Sequence, residues 1–240
     1  MFEKKTVYFT FDMDWAGDEV LADFHALLKE CGVCATIHVT HDTPMLSELR
    51  KDDAIDLGIH PNYNPLLLEG SDRTVADVLR DIKKIVPEAV SLRSHALTAG
   101  SVIARHYAEV GIKYELNTYI PPRQGSAIFP YEAPIGSHLV LPFIFEDDLY
   151  LLKRSGDPDF WLGDDFTAPR IFNFHPIHLY LNTDSMETYE RARPYFKDIN
   201  ELRKMRNSTE YGMRDLFIEL SQKAKGLGYE SRKIKDGDWD

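Results

Sequence analysis

Short apolar runs alternate along the chain with segments whose apolar residues recur every three to four positions. Residues 6–11 (TVYFTF) are β-branched and aromatic and read as a strand. Residues 19–30 (EVLADFHALLKE) gather their apolar side chains on one helical face. Residues 35–39 (ATIHV), 54–59 (AIDLGI) and 89–92 (AVSL) continue the strand series, with helices predicted near 44–50 and 74–86. Residues 102–110 again have helical spacing, Gly111 supplies the stop, and IKYEL resumes a strand. Repeated strand–helix units predict an α/β fold with a parallel sheet of the barrel class.

Residues 118–137 hold four prolines, at 121, 122, 130 and 134, and show no period, so they read as a long loop of the kind that lines active sites. Beyond it, 138–145 (HLVLPFIF) and 147–152 (DDLYLL) read as strands or a hairpin, 171–174 (IFNF) as a strand, and 185–206 and 212–226 as helices. No internal repeat interrupts this order.

Composition narrows the picture. A chain of 240 residues, 43% hydrophobic and 28% charged, fits one globular domain spanning 1–240. Its net charge of −11 and lack of basic runs argue against nucleic acid as a partner. No stretch approaches the roughly 20 apolar residues of a membrane span, and the start lacks the blocks of a signal peptide, which points to the cytoplasm. Nothing in these signals sets an oligomeric state. The two cysteines, Cys31 and Cys34 in CGVC, fall where a helix should end, whereas redox pairs sit at a helix start; packing is the expected role.

Four constellations carry chemistry. In Phe11-Asp12-Met13-Asp14 two carboxylates follow a strand and point the same way, enough for one metal ligand and one base, although a solvated strand end with a capping aspartate fits too. In Gly58-Ile59-His60-Pro61-Asn62-Tyr63-Asn64 a helical turn opening at Pro61 would set His60 and Asn64 on one face, where both reach a metal or merely cap a helix. Arg93, in Leu92-Arg93-Ser94-His95, places a fixed positive charge at a strand end, either in a plain ion pair or in a bidentate contact that keeps a carboxylate base ionised. In Asn173-Phe174-His175-Pro176-Ile177-His178 one histidine can serve as general acid, with His175 the choice and His178 the supporting group. Asp12, Asp14, His60, Arg93 and His175 all fall at predicted C-terminal strand ends, the rim where parallel barrels build their sites.

These motifs, across roughly residues 6–182, resemble the polysaccharide deacetylase family, the NodB-homology or carbohydrate esterase 4 group, and within it the O-antigen, WbmS-like branch. The resemblance implies a distorted (β/α)7-type barrel related to TIM barrels. It implies that Asp12 is the base, Asp14 and His60 metal ligands, Arg93 the group that positions the base, and His175 the acid. His95, Asp147, Asp148 and His178 are candidates for supporting positions, with Asp147 or Asp148 tuning the acid. The family's second ligand histidine is Asn64 here, and a neutral amide oxygen is a weaker zinc ligand that favours harder ions.

The implied cofactor is one divalent ion, with zinc expected. The implied reaction removes an N-acetyl group from an acetamido sugar, or a sugar-linked precursor, used in O-antigen or capsule biosynthesis. Trp15, Tyr63, Tyr131 and Trp161 are candidates for stacking on a sugar face. Two rivals remain: hydrolysis of a small cyclic amide or ureide, and a non-catalytic carbohydrate-binding homologue, which the Asn64 departure makes conceivable.

Overall fold

The computed structural model describes residues 5–68 and 70–239. β1 (Thr6–Asp12) leads to α1 (Asp18–Cys31), β2 (Ala35–Val39), α2 (Met45–Leu49) and β3 (Ile55–Ile59). α3 (Asn64–Leu68) and α4 (Val75–Ile85) precede β4 (Ser91–Leu92), α5 (Ser101–Ala104) and β5 (Tyr114–Glu115). Next come β6 (Tyr131–Glu132), β7 (Leu139–Val140), β8 (Phe145–Glu146), α6 (Asp147–Lys153), α7 (Pro158–Leu162), β9 (Arg170–Phe174) and α8 (Pro176–Leu181). Last are α9 (Met186–Ala192), α10 (Ile199–Met205), α11 (Met213–Gly226) and β10 (Glu230–Ser231).

The sheet runs β6-β7-β5-β4-β3-β2-β1-β9-β8, with β10 paired to the start of β1. Only the β6–β7 pair is antiparallel among the described strands. One extended stretch, 139–146, joins the two ends of this path. Its first half donates from Leu139 and Leu141 N–H to Lys113 and Glu115 carbonyls, at 2.8 Å each, while Ile144 N–H donates to Ile171 O at 3.0 Å and Phe145 pairs with Phe172. The staves β1 to β5, this stretch and β9 therefore make seven, the distorted (β/α)7-type barrel.

Period two sorts the strand residues between two environments. Phe9, Phe11 and Phe174 point outward, where Phe11 meets Phe24 of α1 at a ring separation of 4.6 Å and Phe174 meets Phe217 of α11 at 5.3 Å. Each such buried ring contributes about 2 kcal/mol. Tyr8, Leu116, Leu141, Phe143 and Ile171 form a separate cluster, and Thr10, Asp12 and Asn173 continue its strand phase toward the C-terminal rim. α1 presents Val20, Leu21, Phe24, Leu27 and Leu28 to the core and stops at Gly32, whose left-handed φ of 63° lets its N–H reach Leu28 O.

Several expectations change. Residues 147–152 are not a strand: Asp147 and Asp148 in the first turn and Lys153 in the last complement the dipole of α6. The 102–110 helix shortens to α5 plus a 3₁₀ turn at Ala108–Val110, although Gly111 does close it at φ 73°. The 185–206 helix splits near Pro194, whose missing N–H ends α9 in a 3₁₀ turn before α10 begins. The 118–137 loop contains β6. α7 and α8, both opened by a proline, carried too short an apolar pattern to be read. Cys31 and Cys34 are free and half-buried. Among the described residues no helix is long and apolar enough to cross a membrane.

Candidate active site

Parallel register assembles the inner rim. Asp12 pairs with His38 across β1–β2, and Thr10 pairs with Asn173 across β1–β9, so four polar side chains from three strands share the interior. Arg93 follows β4 and is fully buried. Its Nη1 donates to Asp12 Oδ1 at 3.1 Å and Asn173 Oδ1 at 2.5 Å, Nη2 to Thr10 Oγ1 at 2.9 Å, and Nε to Leu116 O at 3.0 Å. The guanidinium lies 4.5 Å from the Phe143 ring centre. Of the two contacts expected of Arg93, the plain ion pair with Asp12 forms and the bidentate fork does not, because the other donors are spread over three further acceptors.

Asp12 is held from every side. Asn173 Nδ2 donates to Oδ2 at 2.9 Å, while His38 Nδ1 and His60 Nδ1 stand 3.3 and 3.4 Å from Oδ1. Burial opposes its ionisation, but Arg93, His60 and His38 outweigh that and hold the carboxyl well below the usual carboxylate range. Burial keeps His38 down at about 4 against the pull of Asp12, so His38 is neutral at neutral pH. Its ring has room because residue 58 is glycine: a Cβ there would lie 2.5 Å from His38 Cδ2.

Asp14 and Trp15 adopt left-handed backbone, φ 38° and 56°, a conformation L residues hold only under constraint. The turn brings Asp14 Oδ1 to 3.1 Å from His60 Nε2 and 3.3 Å from His95 Nδ1, and the two nitrogens are 3.4 Å apart. A carboxylate oxygen and two imidazole nitrogens are donor types that take a divalent ion, so this set fits the implied metal. The turn expected after Pro61 does not form: residues 61–63 lie outside helix and α3 opens at Asn64, removing the shared face that was to pair Asn64 with His60.

Across the rim, His175 Nε2 lies 3.6 Å from Asp14 Oδ2 and 4.0 Å from Asp12 Oδ2. Its Nδ1 is 2.7 Å from Asp147 Oδ1, and its backbone N–H donates to Asp147 Oδ2 at 2.6 Å. Burial disfavours the charged ring, but Asp147, with Asp148 and Asp14, holds its pKa well above the ordinary histidine value. His178 has both nitrogens engaged, Nε2 with Asp148 at 2.7 Å and Nδ1 with Thr183 Oγ1 at 3.0 Å. Asp147, Asp148, His175 and His178 also form a group close enough for an ion, but they are arranged as two separate histidine–carboxylate pairs.

The aromatic candidates divide. Tyr63 is completely buried and Trp161 packs in the core against Phe145 and Tyr150, so neither offers a face to a sugar. Trp15 is exposed, with its ring 5.0 Å from that of His95, and Tyr131 is exposed on β6. Sequence reasoning missed the parts played by Thr10, His38 and Asn173, which strand phase carried inward from Asp12 would have flagged. It also missed Glu146, a carboxyl at the end of β8 that burial pushes up to about 7.

Comparisons with known proteins identify the family and the fold. The WbmS-like polysaccharide deacetylase family model matches residues 9–193. A candidate polysaccharide deacetylase of O-antigen biosynthesis from Bordetella bronchiseptica superposes with a TM-score of 0.85 and 33% identity, covering 92% of this chain and 91% of that one. Two distant structures share the fold. The esterase-family-4 domain of a xylanase from the hindgut metagenome of Trinervitermes trinervoides has a TM-score of 0.51 at 13% identity, covering 98% of this chain and 89% of that one. A 4-α-glucanotransferase from Thermococcus litoralis has 0.54 at 11%, covering 96% and 37%. No curated protein sequence matches. With the family model covering most of the chain and the motif residues converging on one rim, the chain belongs to the WbmS-like polysaccharide deacetylases.

Proposed function

We propose that the protein is a metal-dependent amide hydrolase that removes the N-acetyl group from an acetamido sugar destined for a surface polysaccharide. The observation that carries this reading is the opposition of two groups on one rim, with Asp12 Oδ2 and His175 Nε2 4.0 Å apart: the carboxyl is held well below the usual carboxylate range and the imidazole well above the ordinary histidine value. Amide hydrolysis needs that pair: a base for water and an acid for the amine.

Asp14 and His60 would hold a divalent ion, which supplies Lewis-acid polarisation of the acetamide carbonyl and of water when bound. Asp12 takes a proton from water as the water oxygen bonds to the carbonyl carbon. Arg93 and Asn173 keep the carboxylate fixed during that transfer. His175 gives its proton to the sugar nitrogen as the C–N bond breaks, releasing acetate and an amino sugar. Asp147 holds the ring so that Nε2 faces the site. Trp15, exposed beside His95, would stack on the sugar. The reading puts the reaction in the cytoplasm, on a nucleotide-linked or lipid-linked precursor.

Acetate release over a panel of such acetamido sugars tests the reading. Wild type should turn over at least one, and Asp12→Asn should lose about 10²–10⁴-fold in kcat with its metal content unchanged. Sugar binding without acetate from any member would favour the non-catalytic alternative.

A further inference from the structure

We propose that His95 is the third metal ligand, in the place where Asn64 was expected, so that the ion is held from three staves of the barrel instead of by one strand end and one helical turn. This rests on the deacetylase reading and names the ligand set of its site.

Asp14 Oδ1, His60 Nε2 and His95 Nδ1 form a triangle with edges of 3.1, 3.3 and 3.4 Å. Donors about 2.0–2.2 Å from a shared ion stand about 3.3–3.5 Å apart at tetrahedral angles and about 3.0 Å apart at right angles. The triangle falls within that span on all three edges. Two N–H groups donating along the two lone pairs of one carboxylate oxygen would give a different shape, with the nitrogens about 5 Å apart. The nitrogens of His60 and His95 are instead 3.4 Å from one another, within reach of a hydrogen bond when one of them carries the proton and of a shared ion when neither does.

Backbone and side-chain bonds fix His95 at this point. Ser94 N–H donates to Asn117 Oδ1 at 2.7 Å, and Asn117 Nδ2 donates to Glu115 Oε1 at 2.8 Å, tying the segment after β4 to β5. His95 N–H donates to Pro61 O at 3.0 Å, which fixes it against the residue following His60. Ala96 and Leu97 are then both left-handed, φ 55° and 51°, a strained pair of non-glycine residues of the kind that clusters at functional sites. The side chains of Asp14 and His95 remain about one quarter exposed, at 24% and 27%, which leaves a coordination position open to water and substrate.

A carboxylate with two histidines and an open fourth position is a zinc-type hydrolytic set. The neutral amide of Asn64 therefore does not weaken the site, and zinc binds ahead of magnesium despite the altered motif.

The test is calorimetric titration of the chelator-stripped full chain with zinc, for wild type, His95→Ala, His95→Gln and Asn64→Ala, with melting curves to confirm folding. Wild type should take up about one ion per chain. Both His95 variants should bind more than about 100-fold more weakly, and Asn64→Ala within about threefold of wild type. Cobalt loading gives a second readout: intense tetrahedral absorption in wild type that is lost in His95→Ala. Zinc binding untouched by either His95 variant, or lost in Asn64→Ala, overturns this inference alone. A wild type that binds no divalent ion overturns it together with the deacetylase reading.

Discussion

Asp147 grips His175 twice, accepting its backbone N–H through Oδ2 and meeting its Nδ1 through Oδ1 at 2.7 Å. The two contacts fix the ring and, against the cost of burial, hold its pKa well above the ordinary value. The acid form therefore persists past neutral pH and is lost as pH rises through the raised pKa. Asp147→Asn keeps the shape and removes the charge, so the alkaline limb of the kcat profile should move to lower pH. A limb that stays in place would remove Asp147 from this role.

His178 has no nitrogen left for substrate, with Asp148 on one side and Thr183 on the other. His175→Ala should lower kcat by about 10²–10⁴-fold, while His178→Ala should lower it by less than about tenfold. Steady-state kinetics on the two variants decides the matter, and equal losses would show that the acid has been misassigned.

Arg93 is a fully buried cation whose donors serve Asp12, Asn173, Thr10 and the Leu116 carbonyl. Replacing it with alanine strands the Asp12 carboxylate in a site without its principal countercharge. Urea denaturation should show a loss of about 3–5 kcal/mol, the usual result of removing one partner of a buried pair. A loss below about 1 kcal/mol would mean that water enters and compensates.

Gly58 lies beneath His38. A Cβ there would meet His38 Cδ2 and Ser91 Oγ at 2.5 Å and the Ser91 carbonyl oxygen at 2.9 Å, so backbone as well as side chain must yield. Gly58→Ala should cost about 1–3 kcal/mol, read as a lower melting temperature. It should also reduce kcat, since His38 touches Asp12. An unchanged melting curve would show that the strands have slack at this point.

The alternation of strand and helix and the placement of Asp12, His60, Arg93 and His175 at strand ends were legible in the sequence, because each depends on patterns within a dozen residues. So was the family, whose motifs keep their order along the chain. What misled the local reading was context: Asp147 and Asp148 open a helix through charge at its first turn, Pro194 splits a helix whose apolar period continues past it, and Tyr63, a candidate for stacking on a sugar, is buried.

The site's composition is mostly a matter of register. His38 and Asn173 reach Asp12 and its surroundings because parallel pairing sets them opposite β1 residues, and nothing local to ATIHV or IFNF announces it. His95 and Asn64 show the division most sharply. Spacing of four residues favoured Asn64 as the partner of His60, while the folded chain brings His95 to within 3.4 Å of it from the next stave. Residue type and strand phase belong to the sequence; which side chains share a point in space was decided by how seven staves closed around one axis, since proximity between strands far apart in the chain leaves no periodic trace along it.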